Sequence, residues 1–409
     1  METGNLLQTS GWTLGEWRLD GGLRLTGFLL GAGMTLETEG GRWEVFRQNI
    51  NRQRRTPVLS VMVENYGSVS AQVKNVTLNR KIQDSLHEPM HGSASVTLED
   101  TDGSLIENGR SVIRKNDKVK IWTGFARNGY RHGDLIPRFT GVVYEPKVNT
   151  GRREVMLSLM DYGYLMKQAQ TGGDFSDYNT PKLLVNELLN RLNLGDATWE
   201  NESGLPTTYE IGMTDLSRRN YWKITHGATM GIGYVYFFDG NGDMQCLRRD
   251  HSSESGEVFK DTDIIGVHHV RTAGFVNQKS VDLNEAAPVP WSATADDSLR
   301  WGQATYTKHD RQSQALYGVS ADYESEEMIA GWDNIYTFAR DSILWLKYPR
   351  DIYELRCAAH PFLDIADKIR IDSAVQNIHG QMSIIGLDEY ISAATYSQTL
   401  TLLTHRELF

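Results

Sequence analysis

Cysteine is scarce in this sequence: Cys246 and Cys357 are the only two among 409 residues, and they lie far apart. Two thiols cannot form the multi-cysteine framework that staples small secreted domains, and they cannot supply the four ligands of a zinc knuckle. A single bridge between them is the one disulfide that the sequence permits, and we do not expect it.

Long apolar runs are also missing. No stretch of about twenty apolar residues occurs, so the sequence predicts no membrane-spanning helix. Residues 1–4 carry no basic cluster, and the apolar stretch 23–34 is interrupted by Arg24, Gly27 and Gly31. We therefore expect no secretory signal at the start of the sequence.

Basic residues are in deficit: 42 Lys and Arg stand against 52 Asp and Glu, which gives a formal net charge of −10. A protein that mainly binds duplex nucleic acid needs a basic surface to neutralise phosphates, so this class is not expected. Aromatic residues are plentiful, with 10 Trp and 18 Tyr. That composition is typical of a folded, β-rich chain, and the length allows several domains.

One metal-site pattern occurs at 87–91, where His-Glu-Pro-Met-His fits the zinc-protease motif H-E-x-x-H. On a helix this spacing places His87 and His91 on one face to hold zinc, with Glu88 as general base. Pro89 lacks the N–H that a helix interior needs, and alternating strand patterns flank the segment. A loop between strands is the favoured interpretation, and a zinc-dependent hydrolase stays as a less favoured alternative.

A second pattern, Asp-Gly-Asn-Gly-Asp at 239–243, resembles the start of a calcium-binding loop. Met244 and Asp250 stand where an EF-hand needs Gly and Glu, so we predict a hairpin turn. His268 and His269 are adjacent in a predicted strand and point to opposite faces, so they cannot easily share a metal ion.

Other catalytic signals are lacking. Glu99, Asp100 and Asp102 lie in a predicted turn, where carboxylates commonly cap backbone N–H groups. No phosphate loop, dinucleotide fingerprint or G-x-S-x-G elbow occurs in the sequence. We therefore predict no catalytic, cofactor-binding or metal-ligating residues, no cofactor and no enzymatic activity.

The sequence repeats one pattern in its two halves. An Asp-Lys turn leads into a strand that alternates apolar and basic residues, a Gly-led strand follows, and a longer alternating strand closes the pattern. The repeated segments are 116–121, 141–144 and 154–159 in the first half, and 366–371, 380–385 and 397–402 in the second. This repeat predicts two similar barrel-like modules and indicates a pseudo-symmetric ring component rather than an enzyme.

We predict a mainly β protein with an α+β insert. The expected division is a β-rich extension or docking arm at 1–55, a first β-barrel at 56–165, an α/β middle domain at 166–260, and a second β-barrel at 261–409. The middle domain is expected to hold helices at 181–192 and 217–230 and a hairpin at 234–247, whereas a long helix at 325–346 belongs to the second barrel.

Residues 1–55 are rich in Gly and Trp, with Trp12, Trp17 and Trp43 among short alternating stretches. Aromatic side chains on a β surface usually pack in a core, but they can also bind sugars. A carbohydrate-binding adhesin is therefore an alternative function.

Six segments of the sequence occur in an order and spacing found in a known family: 96–103, 116–122, 139–143, 221–224, 233–237 and 360–369. In this order they resemble the baseplate-hub (tail-tip hub) proteins of tailed phages and related contractile injection systems, over about residues 56–409. Ala366 stands where that family commonly has Gly, and residues 1–55 have no counterpart in it.

The resemblance implies two tail-tube-like barrels in one chain and a homotrimer that forms a pseudo-hexameric ring. Such a ring joins a six-fold tail tube, or a distal tail protein, to a three-fold central spike protein, with the tape measure protein and other baseplate proteins as further partners. DNA is expected to pass through its acidic channel during ejection without specific binding. The chain is expected in the virion, at the tail baseplate or tip, after synthesis in the host cytoplasm.

Overall fold

The computed structural model describes residues 57–82, 91–125, 135–170, 178, 180–205, 219–248, 257–282, 305–324 and 332–404, together with five short strands elsewhere. Four of these short strands lie near the start of the chain: β1 (Leu7–Thr9) pairs with β2 (Trp12–Leu14), and β3 (Arg18–Leu19) pairs with β4 (Leu23–Arg24). Residues 87–90 of the H-E-x-x-H pattern lie outside the described residues.

The first module is an antiparallel sheet whose alternating sequences bury one face. In β8, Ala94, Val96 and Leu98 are buried, as the period of two predicts. The strands are β5 (Pro57–Val63), β6 (Gly67–Ser68), β7 (Val73–Lys81), β8 (Ser93–Glu99), β9 (Ile106–Glu107), β10 (Arg110–Ser111), β11 (Lys118–Phe125), β12 (Ile136–Asn149) and β13 (Glu154–Asp161).

The sheet of the first module curves around one core. Its strands follow the order β6-β5-β11-β12-β13-β8-β7, with β9 and β10 forming a separate hairpin. Val61, near one end of this order, shares a hydrophobic cluster with Val76 at the other end. A flat sheet would keep those strands apart, so the sheet of this module curves around its core.

A middle region of helices and a hairpin follows. Its elements are α1 (Tyr162–Gln168), α2 (Pro181–Asn190), β14 (Thr198–Trp199), α3 (Tyr221–Met230), β15 (Tyr234–Phe238) and β16 (Met244–Arg248). Helix α2 begins after its N-cap Thr180, as predicted, and ends at Asn190, slightly before the predicted end. Helix α3 begins later than the predicted 217, because the side-chain oxygen of Asn220 caps it by accepting a bond from the Lys223 N–H at 2.9 Å.

The second module contains an insertion. The elements are β17 (Glu257–Lys260), β18 (Ile264–Ala273), β19 (Gln278–Asp282), β20 (Asp297–Arg300), β21 (Thr305–His309), α4 (Arg311–Tyr317), β22 (Ala321–Glu324), α5 (Trp332–Leu346), β23 (Arg350–Ala358), β24 (Lys368–Ser373), β25 (Ile378–Ser392) and β26 (Tyr396–Thr404). Strands β19 to β22 form their own four-stranded sheet, against which α5 packs. The sequence did not predict this sheet. The predicted helix 325–346 is described only from Trp332 onward.

The two modules have the same strand order. In the first it is β5-β11-β12-β13-β8-β7, and in the second it is β17-β24-β25-β26-β23-β18. One strand pairing differs between the modules: β5 is antiparallel to β11, whereas β17 is parallel to β24. The fold class predicted from the sequence, mainly β with two similar modules, is confirmed.

The correspondence extends to single residues. Asn116 and Ala366, which precede the two Asp-Lys turns, both have left-handed backbones, with φ of 70° and 68°. Each donates its N–H at 2.8 Å to a carbonyl of the following long strand, Val143 in β12 and Ile384 in β25. Both long strands have a bulge directly after that residue. These shared irregularities confirm that the repeat in the sequence is a repeat in structure.

Candidate functional site: the junction between the two modules

The two modules join in one continuous sheet. Strand β7 of the first module pairs with the outer half of β25, in a register that runs from Lys81 opposite Gly386 to Asn75 opposite Ser392. Beyond the backbone ladder, the side chain of Asn79 donates a hydrogen bond to Asp388. The result is a 13-stranded sheet that contains strands of both modules.

A buried ion pair lies behind this ladder. Arg138 of β12 is 1% exposed and Glu389 of β25 is 3% exposed. The guanidinium donates from Nε and Nη2 to the two carboxylate oxygens, each at 3.0 Å. Its Nη1 donates to the carbonyl oxygens of Pro361 and Leu363, both at 2.7 Å. This guanidinium of the first module is therefore bonded entirely to groups of the second.

The carboxylate of Glu389 has further donors within its own module. Its Oε1 accepts bonds from the Tyr396 hydroxyl at 2.6 Å and from the Gln398 amide at 3.1 Å. Burial, followed by the charge of Glu389, raises the pKa of Tyr396 well above its ordinary value, so the phenol stays a donor. Burial alone would lower the pKa of Arg138, but the electrostatic effects of Glu389, Tyr396 and Asp364 and the hydrogen bonds to Glu389 together outweigh burial, and the pKa rises. Because every charge has a partner, the site avoids the large cost of an unpaired buried ion.

A second arginine contacts the same segment of the second module. Arg80 of β7 is 4% exposed, and its Nη1 lies 2.7 Å from Oδ1 of Asp364. The 361–364 segment is therefore contacted by two buried cations of the first module. It precedes β24 and corresponds to the segment before β11 in the first module.

The middle region reaches the junction through a tight turn. Residues 239–243 connect β15 to β16, so the hairpin interpretation of the Asp-Gly-Asn-Gly-Asp pattern is confirmed. Oδ1 of Asp239 accepts bonds from the N–H groups of Asn241 and Asp243 at 2.9 and 3.0 Å. Burial, and then the charges of Asp364 and Asp243, raise the pKa of Asp239 to about 7.

Glycine allows this turn to lie directly on β12. A Cβ on Gly240 would stand 2.3 Å from the carbonyl oxygen of Pro137, and the hydroxyl of Thr140 donates to the Gly240 carbonyl at 2.9 Å. Strand β12 thus contacts the hairpin turn through Pro137 and Thr140, and the second module through Arg138. Three parts of the chain meet at this strand.

Another carboxylate of the first module fixes the start of α1. Asp161 ends β13, and its Oδ1 accepts a bond from the Gly163 N–H at 2.9 Å, while Oδ2 accepts one from Gly92. Burial raises the pKa of Asp161 to about 7, although these backbone donors oppose the rise. The role of this group is structural, since it caps a helix and holds the strand connection.

The other residues considered from the sequence are dispersed. His91 Nδ1 lies 2.9 Å from Nζ of Lys167, and its ring meets Trp222 edge-on. Burial, and then the charge of Lys167, lowers the pKa of His91. In the described part of the chain, no group of three or more His, Cys, Asp or Glu side chains is arranged to hold a metal ion.

The neighbouring histidines and the acidic turn have local partners. His268 lies 3.2 Å from Glu354, and His269 lies 3.2 Å from Asp351. Asp100 accepts a bond from the Leu105 N–H at 3.0 Å, which confirms the capping role predicted for that turn.

The two cysteines are both free and buried, and the disulfide that the sequence permitted is not formed. Burial raises the pKa of the Cys357 thiol to about 12. No helix among the described residues is long and apolar enough to cross a membrane.

Arg138, Glu389 and Arg80 were not singled out from the sequence. A signal for Glu389 was present, because it alternates with Leu387 and Ile391, which puts a carboxylate on the buried face of β25. Nothing in the sequence identified its partner, which lies 251 positions away.

Solved structures share this fold. A tail protein from Neisseria meningitidis is 10% identical, with a TM-score of 0.56 over 85% of this chain and 96% of its own. A 43 kDa tail protein of prophage MuSo2 from Shewanella oneidensis is 9% identical, with a TM-score of 0.57 over 85% and 98%. The prophage tail protein gp18 from Listeria monocytogenes is 11% identical, with a TM-score of 0.51 over 86% and 95%.

No family model matches the sequence, and no curated protein matches it. The similarity is therefore one of fold, and it extends over nearly the whole length of each of the three tail proteins. The chain has a phage tail protein fold, which confirms the resemblance predicted from the sequence.

Proposed function

We propose that this chain is a structural hub subunit of a phage tail baseplate or tail tip. Three copies close into a ring of six modules, which joins a six-fold tail tube to a three-fold spike and lines the channel for DNA. The observation that carries the proposal is the duplicated module, since a chain with two equivalent modules has pseudo-six-fold symmetry as a trimer.

The junction supports this proposal physically. A ring that transmits force between tube and spike needs a fixed angle between neighbouring modules. The β7–β25 ladder and the buried Arg138–Glu389 pair fix two modules within each chain. We assign this pair a structural role, and we propose no enzymatic activity for the chain.

The parts of the chain have separate roles in this proposal. Barrels at 56–165 and 261–409 form the ring, the middle domain at 166–260 braces their junction, and residues 1–55 act as a docking arm. Partners are a tail tube or distal tail protein, a central spike protein, and further tail proteins such as the tape measure protein. DNA passes without specific binding, since the chain carries a formal net charge of −10.

The test is the mass of the purified protein by light scattering after gel filtration. A chain of 46.2 kDa gives a trimer of 138.6 kDa. A monomer that stays a monomer after co-expression with tube and spike proteins would refute the ring. Retention of duplex DNA at physiological salt would refute the passive channel, since counterion release would then favour binding.

A further inference from the structure

Among the described strands, two sheet edges lack a partner strand at positions that are paired at the junction within the chain. Within the chain, β7 pairs with the outer half of β25. Strand β18 holds the position of β7 in the second module, and β12 holds the position of β25 in the first. The same type of junction could therefore form once more, between β18 of one chain and β12 of another.

The edge of β18 is open. This strand pairs with β23 on one side, and no described strand pairs with its other side. Ile265 of this strand is 70% exposed. An open edge with an exposed apolar side chain invites strand addition and is usually protected when it has no partner.

The outer half of β12 is open as well. Strand β11 pairs with β12 only as far as Val142, whereas β13 pairs along the other edge as far as Asn149. In β25 the corresponding outer half receives β7. Residues 144–149 of β12 are partly or fully exposed in the single chain, and no described strand pairs with their free edge.

We propose that, in the trimeric ring, β18 of each chain adds to the outer half of β12 of the next chain, as β7 adds to β25 within a chain. This inference rests on the proposed function and names its chain-to-chain contact. The contact is head-to-tail, because two different edges meet, so repetition closes a ring or continues as a filament.

The internal repeat supplies the register. Bulges occur at matching points, after Val73 in β7 and after Ile264 in β18, which aligns Thr77 with His268. The pairing of β12 with β13 and of β25 with β26 aligns Asn149 with Tyr390. Since Thr77 stands opposite Tyr390 within the chain, His268 of one chain should stand opposite Asn149 of the next. The correspondence ends at His269, where β18 has a second bulge.

The two junctions differ in one backbone bond. The Ile82 N–H donates to the Ile385 carbonyl. Hydrogen-bonding positions alternate along a strand, so the backbone N–H and C=O of Leu387 also point toward β7. Pro146 holds the position of Leu387 in β12 and has no N–H to donate. The proposed junction therefore has one ladder bond fewer than the junction within the chain.

Disulfide trapping in the full-length chain tests this register. Thr77 and Tyr390 face each other at a position between ladder bonds, where Cα atoms lie about 4.5 Å apart, which is within the range for a disulfide. The double variant His268→Cys/Asn149→Cys should form disulfides between chains on mild oxidation, with three chains linked on a non-reducing gel. Each single variant should form none, and the native cysteines are buried.

The matched control is Thr77→Cys/Tyr390→Cys, whose disulfide should form within a chain and leave the mass unchanged. A trimer by light scattering that gives no cross-link, while this control does, would overturn the strand pairing and leave the proposed function intact. A monomer without cross-links would overturn both. Covalent chains that continue beyond three copies would support the pairing and refute the closed ring.

Discussion

Replacing Arg138 by Met should weaken the junction between the two modules far more than an equivalent change at the surface. The substitution retains much of the side-chain length but leaves Glu389 buried without its cation, and it removes the donors to two carbonyl oxygens. Removing one partner of a buried pair typically costs about 3–5 kcal/mol. We therefore expect a local loss of at least about 3 kcal/mol.

Hydrogen exchange measured by mass spectrometry is the suitable assay, because a chain with several cores does not unfold as one unit. A loss of 3 kcal/mol corresponds to about 100-fold faster exchange in peptides from β12 and β25. Lys182→Met, which breaks the exposed pair with Glu202, is the control and should change exchange less than about fivefold.

A double variant separates the ion pair from its surroundings. Arg138→Met/Glu389→Met removes both charges, so it should be more stable than Arg138→Met alone. The remaining loss comes from the unpaired carbonyl groups and from the Tyr396 and Gln398 donors that lose Glu389 as acceptor. Exchange in Arg138→Met that matches the Lys182→Met control would refute the view that this pair holds the modules together.

Three other changes test separate features. Gly240→Ala should displace the hairpin turn from β12 and lower the melting temperature, at a cost of about 1–3 kcal/mol. Gly195→Ala, with open space around the glycine, should leave the melting temperature unchanged, and equal effects of the two changes would refute the close contact. Ala366→Gly should stabilise the chain by about 0.5–1 kcal/mol in urea unfolding, because glycine adopts the left-handed backbone of this position without strain. The gain should exceed that of the control Asn116→Gly, and a loss of stability would contradict this. Because the folded pKa of Asp239 is raised to about 7, its contribution is complete below its unfolded pKa and is lost as the pH rises through 7. Thermal melts should therefore show Asp239→Asn more stable than the unmodified chain at about pH 8 and little changed near pH 4; the same difference at both pH values would refute the assignment.

The strands of the two modules could be predicted because period-two alternation reports directly on a half-buried sheet. The repeat was visible because Asp117 and Asp367 form the same turn, each accepting a bond at 2.8 Å from the N–H of the residue three positions earlier. The four-stranded insertion was missed, since β19 has only Val281 as an apolar residue and buries Lys279. The charge of Lys279 is compensated by the carboxylates of Asp322 and Glu324, which lie more than forty positions further along the chain.

The junction could be predicted only in part for a related reason. A charged residue on the buried face of a strand signals that a partner exists, but the identity of that partner is a tertiary property. Arg138 follows Pro137 in a stretch without clear alternation, so its burial was not visible. The domain boundaries stay a prediction, and so does the role of residues 1–55.

Duplication has left the two copies of this contact chemically unequal. Glu389 is part of the contact within the chain, but Val148 stands at the corresponding position of β12, opposite Val155 as Glu389 is opposite Gln398. The charged pair therefore exists at one kind of boundary and is missing from the other. Covalent linkage and the ion pair make the first boundary permanent. In the proposed ring, only the boundary between neighbouring chains can separate. Assembly and disassembly therefore add or remove whole chains and never single modules.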